Sequence, residues 1–182
     1  GSMSDSQWAA LMRGDESYAG SRSYEELLAT VQNITGFKYL LPTHQGRAAE
    51  NVLFSTLVKD GDVVPGNSHF DTTKGHIEIR KAHAIDCTID EAFDIENLHP
   101  FKGNIDLEKL EHVYKSNPKK NIPFCLITVT CNTSGGQPVS LENIKAVSEL
   151  SKKYGIPVYF DSARFAENAY FNKKREAGYG SK

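Results

Sequence analysis

The sequence is poor in cysteine and in net charge. Its 182 residues include three cysteines, Cys87, Cys125 and Cys131, an odd number without a C-x-x-C pair, so neither a disulfide framework nor a zinc knuckle is indicated. Lys and Arg total 21 against 23 Asp and Glu, and the formal net charge of −2 gives no electrostatic reason to expect a nucleic-acid or membrane partner. The 39% of hydrophobic residues is enough for a core and excludes a disordered tail or a membrane span. We expect a reducing, cytoplasmic compartment.

The N-terminus shows no secretory signal. Gly1-Ser2-Met3 has neither a basic region nor an apolar region, and we interpret it as a remnant of cloning. At about 150 residues per domain, the length predicts one domain or a piece of a larger one. We therefore treat residues 4–182 as a single, partial domain.

The first quarter of the sequence predicts a helix, a strand and a second helix. A helix over about 24–35 is indicated by apolar residues on one face, by Ser23 and Glu26 as a capping box, and by Gly36 as its end. An apolar stretch at 37–41, closed by Pro42, predicts a short strand. The following residues have helical periodicity up to Leu57.

The rest of the sequence alternates strand and helix. Short strands are predicted at 62–64 and, loosely, within 74–96, and a helix from Asp106. The apolar runs 124–130 and 157–160 predict strands buried on both faces, and the helix between them begins at Ser140 and ends at Gly155. A final helix follows residue 164. This alternation predicts an α/β fold, a mostly parallel sheet covered by helices on both faces.

Ligands of open parallel sheets bind at the carboxyl ends of the strands, where three polar turns are predicted. Gln45-Gly46-Arg47 stands at a helix N-terminus, which favours an anion such as a phosphate. Asn132 begins a loop that contains Gly135 and Gly136, and its amide could reach a ring oxygen. The bland alternatives are an ordinary turn with a solvated arginine and a flexible connection.

The third turn carries a carboxylate at the end of an apolar run. Asp161 needs a cation or a protonated partner if it is buried, and a protonated ring nitrogen would serve. The alternative is a helix-capping Asp161 paired with Arg164. Together, the three turns predict a flat, phosphorylated heteroaromatic cation, and pyridoxal 5′-phosphate fits best. Phe70 could stack on its ring, although core packing is the simpler interpretation.

Four segments resemble a known family. Residues 14–22 (GDESYAGSR), 42–50 (PTHQGRAAE), 134–140 (SGGQPVS) and 161–171 (DSARFAENAYF) are similar to the β-eliminating lyases, tryptophanase and tyrosine phenol-lyase. The resemblance covers nearly all of the chain after Met3. It implies the large domain of the aspartate-aminotransferase fold, pyridoxal-phosphate fold type I.

The resemblance also implies a role for each site residue. Tyr18 matches the general acid near the leaving group, Glu16 a ligand of an activating monovalent cation such as potassium, and Asp71 the acidic residue typical of tryptophanase. The implied cofactor contacts are Gln45, Gly46 and Arg47 with the phosphate, Phe70 with the ring face, Asn132 and Arg164 with the phenolic oxygen, and Asp161 with the pyridinium.

The implied reaction is β-elimination of L-tryptophan to indole, pyruvate and ammonium. The alternatives are a tyrosine phenol-lyase or another carbon–carbon lyase of this cofactor, and a non-catalytic domain that acts only in assembly. The family's lysine lies in a Ser-x-Lys-Lys-Asp type motif that these 182 residues lack, so we expect this chain alone to be inactive. Family members form homotetramers, and the expected partner is a small amino-acid substrate.

Overall fold

In the computed structural model, which describes residues 2–15 and 18–178, the chain divides into two units, Gly1–His44 and Gln45–Lys182. The first unit contains helix α1 (Asp5–Met12) and helix α2 (Arg22–Thr35), and neither helix has a buried residue. Gly36 ends α2 with φ of 73°, a left-handed conformation that glycine adopts without steric cost. The predicted end of this helix is confirmed.

The predicted start of α2 is wrong by two residues. Ser21, not Ser23, is the N-cap, and its hydroxyl accepts from the backbone N–H of Tyr24. The Ser23 hydroxyl instead donates to Asp15 Oδ1 at 2.5 Å. Hydrogen bonds from Ser23, and from the backbone N–H of Arg22, hold the pKa of Asp15 well below its usual range. The Ser23 hydroxyl, which the predicted capping box required, is therefore bound to Asp15 instead.

The predicted strand at 37–41 is not a strand in the structure. The side chain of Gln32 donates to the carbonyl of Lys38 at 2.8 Å, and the hydroxyl of Tyr24 donates to the carbonyl of Leu40 at 3.2 Å. Backbone groups that a strand would pair with a neighbour are here satisfied by side chains of α2.

The second unit alternates strands and helices. Its elements are α3 (Gly46–Leu57), β1 (Val63–Gly66), α4 (Asp71–Glu78), β2 (His83–Asp86), α5 (Leu107–Ser116), β3 (Cys125–Thr128), α6 (Leu141–Tyr154), β4 (Val158–Asp161) and α7 (Phe165–Arg175). Short 3₁₀ helices lie at Asp90–Phe93 and Lys119–Asn121. The N-cap Ser140 and the end at Gly155 are confirmed, and the helix predicted from Asp106 is α5, which has Asp106 as its N-cap. Within 74–96, β2 is a strand as predicted, but the residues up to Glu78 are helical.

The four strands form one parallel sheet in the order β2-β1-β3-β4. Two buried clusters cover its two faces, as expected when helices pack on both sides. One cluster includes Val63, Cys125 and Ile127 of the strands with Leu110 of α5 and Val147 of α6. The other includes Val64 and Leu126 with Phe54 of α3, Ile77 of α4 and Phe124. The predicted α/β class and parallel sheet are confirmed.

The two strands predicted to be buried differ. All four residues of β3 are buried, because β3 lies between two strands and two helical layers. β4 is the outer strand of the described sheet, and Phe160 is 44% exposed. The prediction of burial is therefore confirmed for 124–130 and wrong for 157–160. No helix within residues 2–15 and 18–178 has the length and hydropathy needed to cross a membrane.

Candidate functional site

Buried polar residues collect at the carboxyl end of β1. Asn67 is 1% exposed, and its amide nitrogen donates to the carbonyls of Thr128 and Gly103 at 2.9 and 3.1 Å. Its amide oxygen accepts from the backbone N–H of Thr128 at 2.8 Å. Asn67 therefore joins the ends of β1 and β3, where the two strands no longer pair through their backbones.

His69 joins the same end to β2. Its backbone N–H and its Nδ1 both lie within hydrogen-bond distance of Asp86 Oδ1, at 2.9 and 2.7 Å. The imidazole is buried, whereas 46% of the Asp86 side chain is exposed. Partial burial raises the pKa of Asp86, but the hydrogen bonds from His69 outweigh it, and the pKa lies below its ordinary value. The carboxylate is therefore the favoured form of Asp86.

The loop after β3 is held at both ends. The Thr133 hydroxyl donates to the carbonyl of His69 at 2.9 Å, and Cys131 pairs with Gln137 in a short antiparallel bridge. Gly135 and Gly136 make the turn between them with φ of 76° and 73°. The alternative of a flexible connection is therefore not what the structure shows: the loop makes a defined turn, and half-buried Asn132 lies at its start.

Asp161 is the last residue of β4, in register with Thr128 of β3. Its Oδ1 accepts from the backbone N–H of Ala163 at 3.2 Å. Among residues 2–15 and 18–178, no ion pair joins Asp161 to Arg164, so the pairing we considered as an alternative is absent there. Arg164 is instead the N-cap of α7, and its backbone N–H donates to the carbonyl of Val129 at 3.0 Å. Both residues contact Val129, three residues before Asn132, through backbone hydrogen bonds.

The N-terminus of α3 fits an anion. Gln45 is the N-cap without a side-chain cap hydrogen bond, the first turn holds no acidic residue, and Arg47 is exposed. A Cβ at Gly46 would find no atom within 4 Å, so the backbone there is open to approach. These features suit a phosphate, which the amides and dipole of a helix N-terminus attract.

A carboxylate ties α3 to α4. Glu50 accepts the hydroxyl of Thr72 at 3.0 Å and that of buried Thr73. Phe70 is the half-buried N-cap of α4, and exposed Asp71 is its first residue. The predicted phosphate cradle and the predicted stacking residue therefore stand on two helices that are held together near their N-termini.

Two predicted residues belong to the first unit. Tyr18 has a fully exposed side chain. Glu16, the predicted cation ligand, lies outside the described residues. No group of three His, Cys, Asp or Glu within 2–15 and 18–178 is arranged to hold a metal ion. The three thiols are free and buried, and burial raises the pKa of Cys87 to about 12.

Sequence reasoning assigned no role to Asn67, His69, Asp86 or Glu50. Asn67 and His69 lie three and five residues after the predicted strand 62–64, and a position shortly after a strand was the signal available for them. Asp86 and Glu50 gave no such signal, since β2 was only loosely predicted and Glu50 lies inside a helix. The structure brings Phe70, Asn132, Asp161 and Arg164 to the carboxyl ends of neighbouring strands, and their contacts with a cofactor stay predictions.

Comparison with solved structures supports the fold. Cystalysin from Treponema denticola, which contains pyridoxal 5′-phosphate, matches with a TM-score of 0.62 at 15% identity, over 84% of this chain and 38% of that one. The pyridoxal-phosphate-bound C-S lyase from Staphylococcus hominis matches with a TM-score of 0.60 at 17% identity, over 84% and 38%. At these identities the likeness concerns the fold, which is that of the type I pyridoxal-phosphate enzymes.

Comparison with known sequences supports the family. A probable β-eliminating lyase from Trichomonas vaginalis is 65% identical over 100% of this chain and 40% of its own length. A tryptophanase from Rhodobacter capsulatus is 54% identical over 98% of this chain and 39% of its own length, and a tyrosine phenol-lyase from Lacrimispora saccharolytica is 53% identical over 99% and 38%. The chain thus spans about two fifths of these relatives. The β-eliminating lyase family model matches residues 1–179, and the chain belongs to the β-eliminating lyase family.

Proposed function

We propose that the whole protein is a pyridoxal-phosphate-dependent β-eliminating lyase that acts on an aromatic L-amino acid, with L-tryptophan as the first candidate. The observation that carries the proposal is the set of polar groups at the carboxyl ends of β1, β3 and β4 in a chain of this family. The alternative of a purely structural domain gives no reason for so many polar groups to gather at one edge.

Bound pyridoxal phosphate would supply an electron sink for the negative charge that develops on the substrate. The residues present fit it. The first turn of α3 and Arg47 would hold the phosphate, Phe70 would cover one ring face, and Asn132 with Arg164 would hydrogen-bond the phenolic oxygen. Asp161 would keep a proton on the ring nitrogen, and the N–H of Ala163 orients its carboxylate for that purpose.

Tyr18 and Asp71 are the residues proposed for the leaving group. A tyrosine hydroxyl can protonate the carbon that leaves, and an aromatic group departs poorly without that proton. Identities of 54% to a tryptophanase and 53% to a tyrosine phenol-lyase do not separate the two substrates. The acidic residue after Phe70 favours tryptophan, because phenol-lyases tend to lack it.

Three further properties are proposed on the family resemblance. The lysine that carries the cofactor lies outside these 182 residues, because the family's Ser-x-Lys-Lys-Asp type motif does not occur in them and Lys152 and Lys153 lie inside α6. Glu16 contributes to a potassium site. The whole protein works as a cytoplasmic homotetramer.

The first experiment supplies the complete protein with pyridoxal phosphate and, separately, L-tryptophan and L-tyrosine. We expect indole from tryptophan in excess over phenol from tyrosine. Phenol in excess would make the protein a tyrosine phenol-lyase, and the absence of both products would overturn the proposal. Asp161→Asn should lower the rate by about a hundredfold or more, since a neutral amide cannot hold charge opposite the ring. Asp90→Asn is the matched control and should leave the rate unchanged.

A second experiment tests the substrate assignment. Asp71→Thr should lower indole release relative to phenol release, while bound pyridoxal phosphate stays constant. Asp71 is exposed on the first turn of α4, so its replacement does not disturb the core. An unchanged ratio would remove Asp71 from the list of residues that select the substrate.

A further inference from the structure

His69 makes polar contacts with both neighbours of β1. Through Asp86 it contacts the end of β2, and through its carbonyl it accepts the Thr133 hydroxyl of the loop after β3. We call His69, Asp86 and Thr133 the strand-end clamp. Its three residues come from three separate strand ends, so they fix the ends relative to one another.

The clamp lies beside two of the residues proposed to contact the cofactor. Phe70 follows His69 directly in sequence, and Asn132 precedes Thr133 directly. A shift of the His69 backbone would therefore move Phe70, and a loss of the Thr133 contact would release the loop that begins at Asn132. Catalytic and binding groups need such supporting contacts, because small displacements weaken the interactions that they make.

The side chain of His69 is closely packed against the end of β1. Its side chain is 1% exposed, and Nε2 is buried without a hydrogen-bond partner. A Cβ on Gly66 would lie 3.3 Å from Nε2 and 2.3 Å from the carbonyl oxygen of Leu126, so glycine is needed where the ring folds back over the strand end. A buried imidazole nitrogen without a partner costs free energy, and the two contacts with Asp86 offset that cost.

We propose that His69 is a positioning residue, which holds the ring-stacking Phe70 and the amide of Asn132 in place through Asp86 and Thr133. This inference rests on the proposed function. His69 acts through its neighbours and does not itself touch the cofactor.

The cleanest test removes the exposed partner. Asp86→Ala takes away the acceptor of both His69 hydrogen bonds without opening a cavity, because 46% of the Asp86 side chain is exposed. The matched control is Asp90→Ala, which removes another exposed carboxylate, one that accepts from Lys109 at 2.5 Å outside the clamp. The readouts are the dissociation constant of pyridoxal phosphate and the circular dichroism of the bound cofactor, both measured on the complete protein.

We expect Asp86→Ala to weaken cofactor binding by about tenfold and to change the cofactor dichroism, and Asp90→Ala to do neither. His69→Asn keeps a donor near the position of Nδ1 and should bind within about threefold of wild type, whereas His69→Leu should be about tenfold weaker. Cofactor binding that is retained by His69→Asn but lost by His69→Leu would show that the hydrogen bond to Asp86 matters, and not only the volume of the side chain.

The possible failures are distinguishable. If wild type binds pyridoxal phosphate and Asp86→Ala binds it equally well with the same dichroism, the positioning role is overturned and the proposed function stands. If wild type itself binds no pyridoxal phosphate, the proposed function fails, and the positioning role falls with it. Equal weakening by Asp90→Ala would also overturn the inference, since the effect would then be one of general charge.

Discussion

The two ends of the sheet are built from different kinds of residue. Just before β2 and β3, at the amino end, stand buried Ala82 and Phe124, with Asp62 before β1 as a buried polar exception. At the carboxyl end the chain buries a polar set: Asn67, Ser68, His69, Thr88, Thr128 and Thr130. Buried polar groups cost free energy unless they are hydrogen-bonded, so the carboxyl end is stable only as a connected network. The amino end is held by packing, and the carboxyl end by specific partners.

The largest effect is expected at Asn67. Asn67→Ala removes three hydrogen bonds and leaves the backbone N–H and carbonyl of Thr128 without their partner inside the protein. We expect a loss of about 3 kcal/mol in the free energy of unfolding, measured by urea denaturation. Asn51→Ala, on the exposed surface of α3, is the matched control and should change it by less than about 0.5 kcal/mol. A small loss at Asn67 would mean that the network is not what holds this end together.

Gly66 should come next. Gly66→Ala places a Cβ 2.3 Å from the carbonyl oxygen of Leu126, and a backbone atom of the neighbouring strand cannot turn aside as a flexible side chain would. We expect a loss of about 2 kcal/mol in the free energy of unfolding.

The control for Gly66 is Gly75 of α4, where a Cβ would meet nothing within 4 Å. Gly75→Ala should stabilise the protein by up to about 1 kcal/mol, because alanine favours a helix over glycine. Opposite signs for the two substitutions, read from thermal unfolding, would confirm the close approach at Gly66. A neutral Gly66→Ala would show that β1 and β3 can separate at this point.

At the amino end, Asp62 provides the contrast. Its carboxylate accepts from the backbone N–H of Lys59 at 2.7 Å, a single local hydrogen bond within a turn. Asp62→Ala should cost about 1 kcal/mol in the free energy of unfolding, well below Asn67→Ala. Asp60→Ala, whose carboxylate is 74% exposed and lies 3.9 Å from Lys81, should cost less than about 0.5 kcal/mol. A loss at Asp62 equal to that at Asn67 would remove the distinction between the two ends.

The sequence predicted the elements whose signals are local. The start of a helix at Asp106, the capping of α6 by Ser140 and the buried strand β3 depend on residues that are neighbours in the chain, and they were found correctly. The strand at 37–41 was predicted from apolar character, but side chains of α2 satisfy its carbonyls, and this is a tertiary effect. β4 was expected to be buried because its composition does not show that it is an outer strand.

For the site, too, the sequence predicted features with local signals and missed contacts between distant residues. Polar residues after strands pointed to Asn132, Asp161 and Arg164, and the structure places them at neighbouring strand ends. The contacts that hold those ends together join residues far apart in sequence, such as Asn67 with Thr128 and His69 with Thr133. No pattern in the sequence marks such pairs, since each residue alone is an ordinary polar residue in a loop.

The smallest expected effect is a pH dependence at Asp86. Partial burial raises the pKa of Asp86, but the hydrogen bonds from His69 lower it by more, so in the folded protein it lies below the ordinary value of 3.8. A carboxyl with a lowered pKa contributes stability above its unfolded pKa and loses it as pH falls through the folded pKa. The free energy of unfolding of wild type should therefore exceed that of Asp86→Asn by less than about 1 kcal/mol near pH 6, since the carboxylate is half exposed. This difference should vanish as the pH falls through the folded pKa of Asp86, which lies below 3.8.

Urea denaturation of both proteins across this pH range measures that difference, and other carboxyl groups cancel because they are common to both. In a His69→Leu background the effect of Asp86→Asn should become smaller, because the imidazole donor is gone while the backbone N–H of residue 69 and the charge of Lys74 remain. A pH-dependent difference of unchanged size in the His69→Leu background would assign it to Lys74, whose charge also lowers the pKa of Asp86, and to the backbone N–H of residue 69. The carboxyl end would then be held at β2 by charge and backbone contacts, and the imidazole would serve only to fill space there.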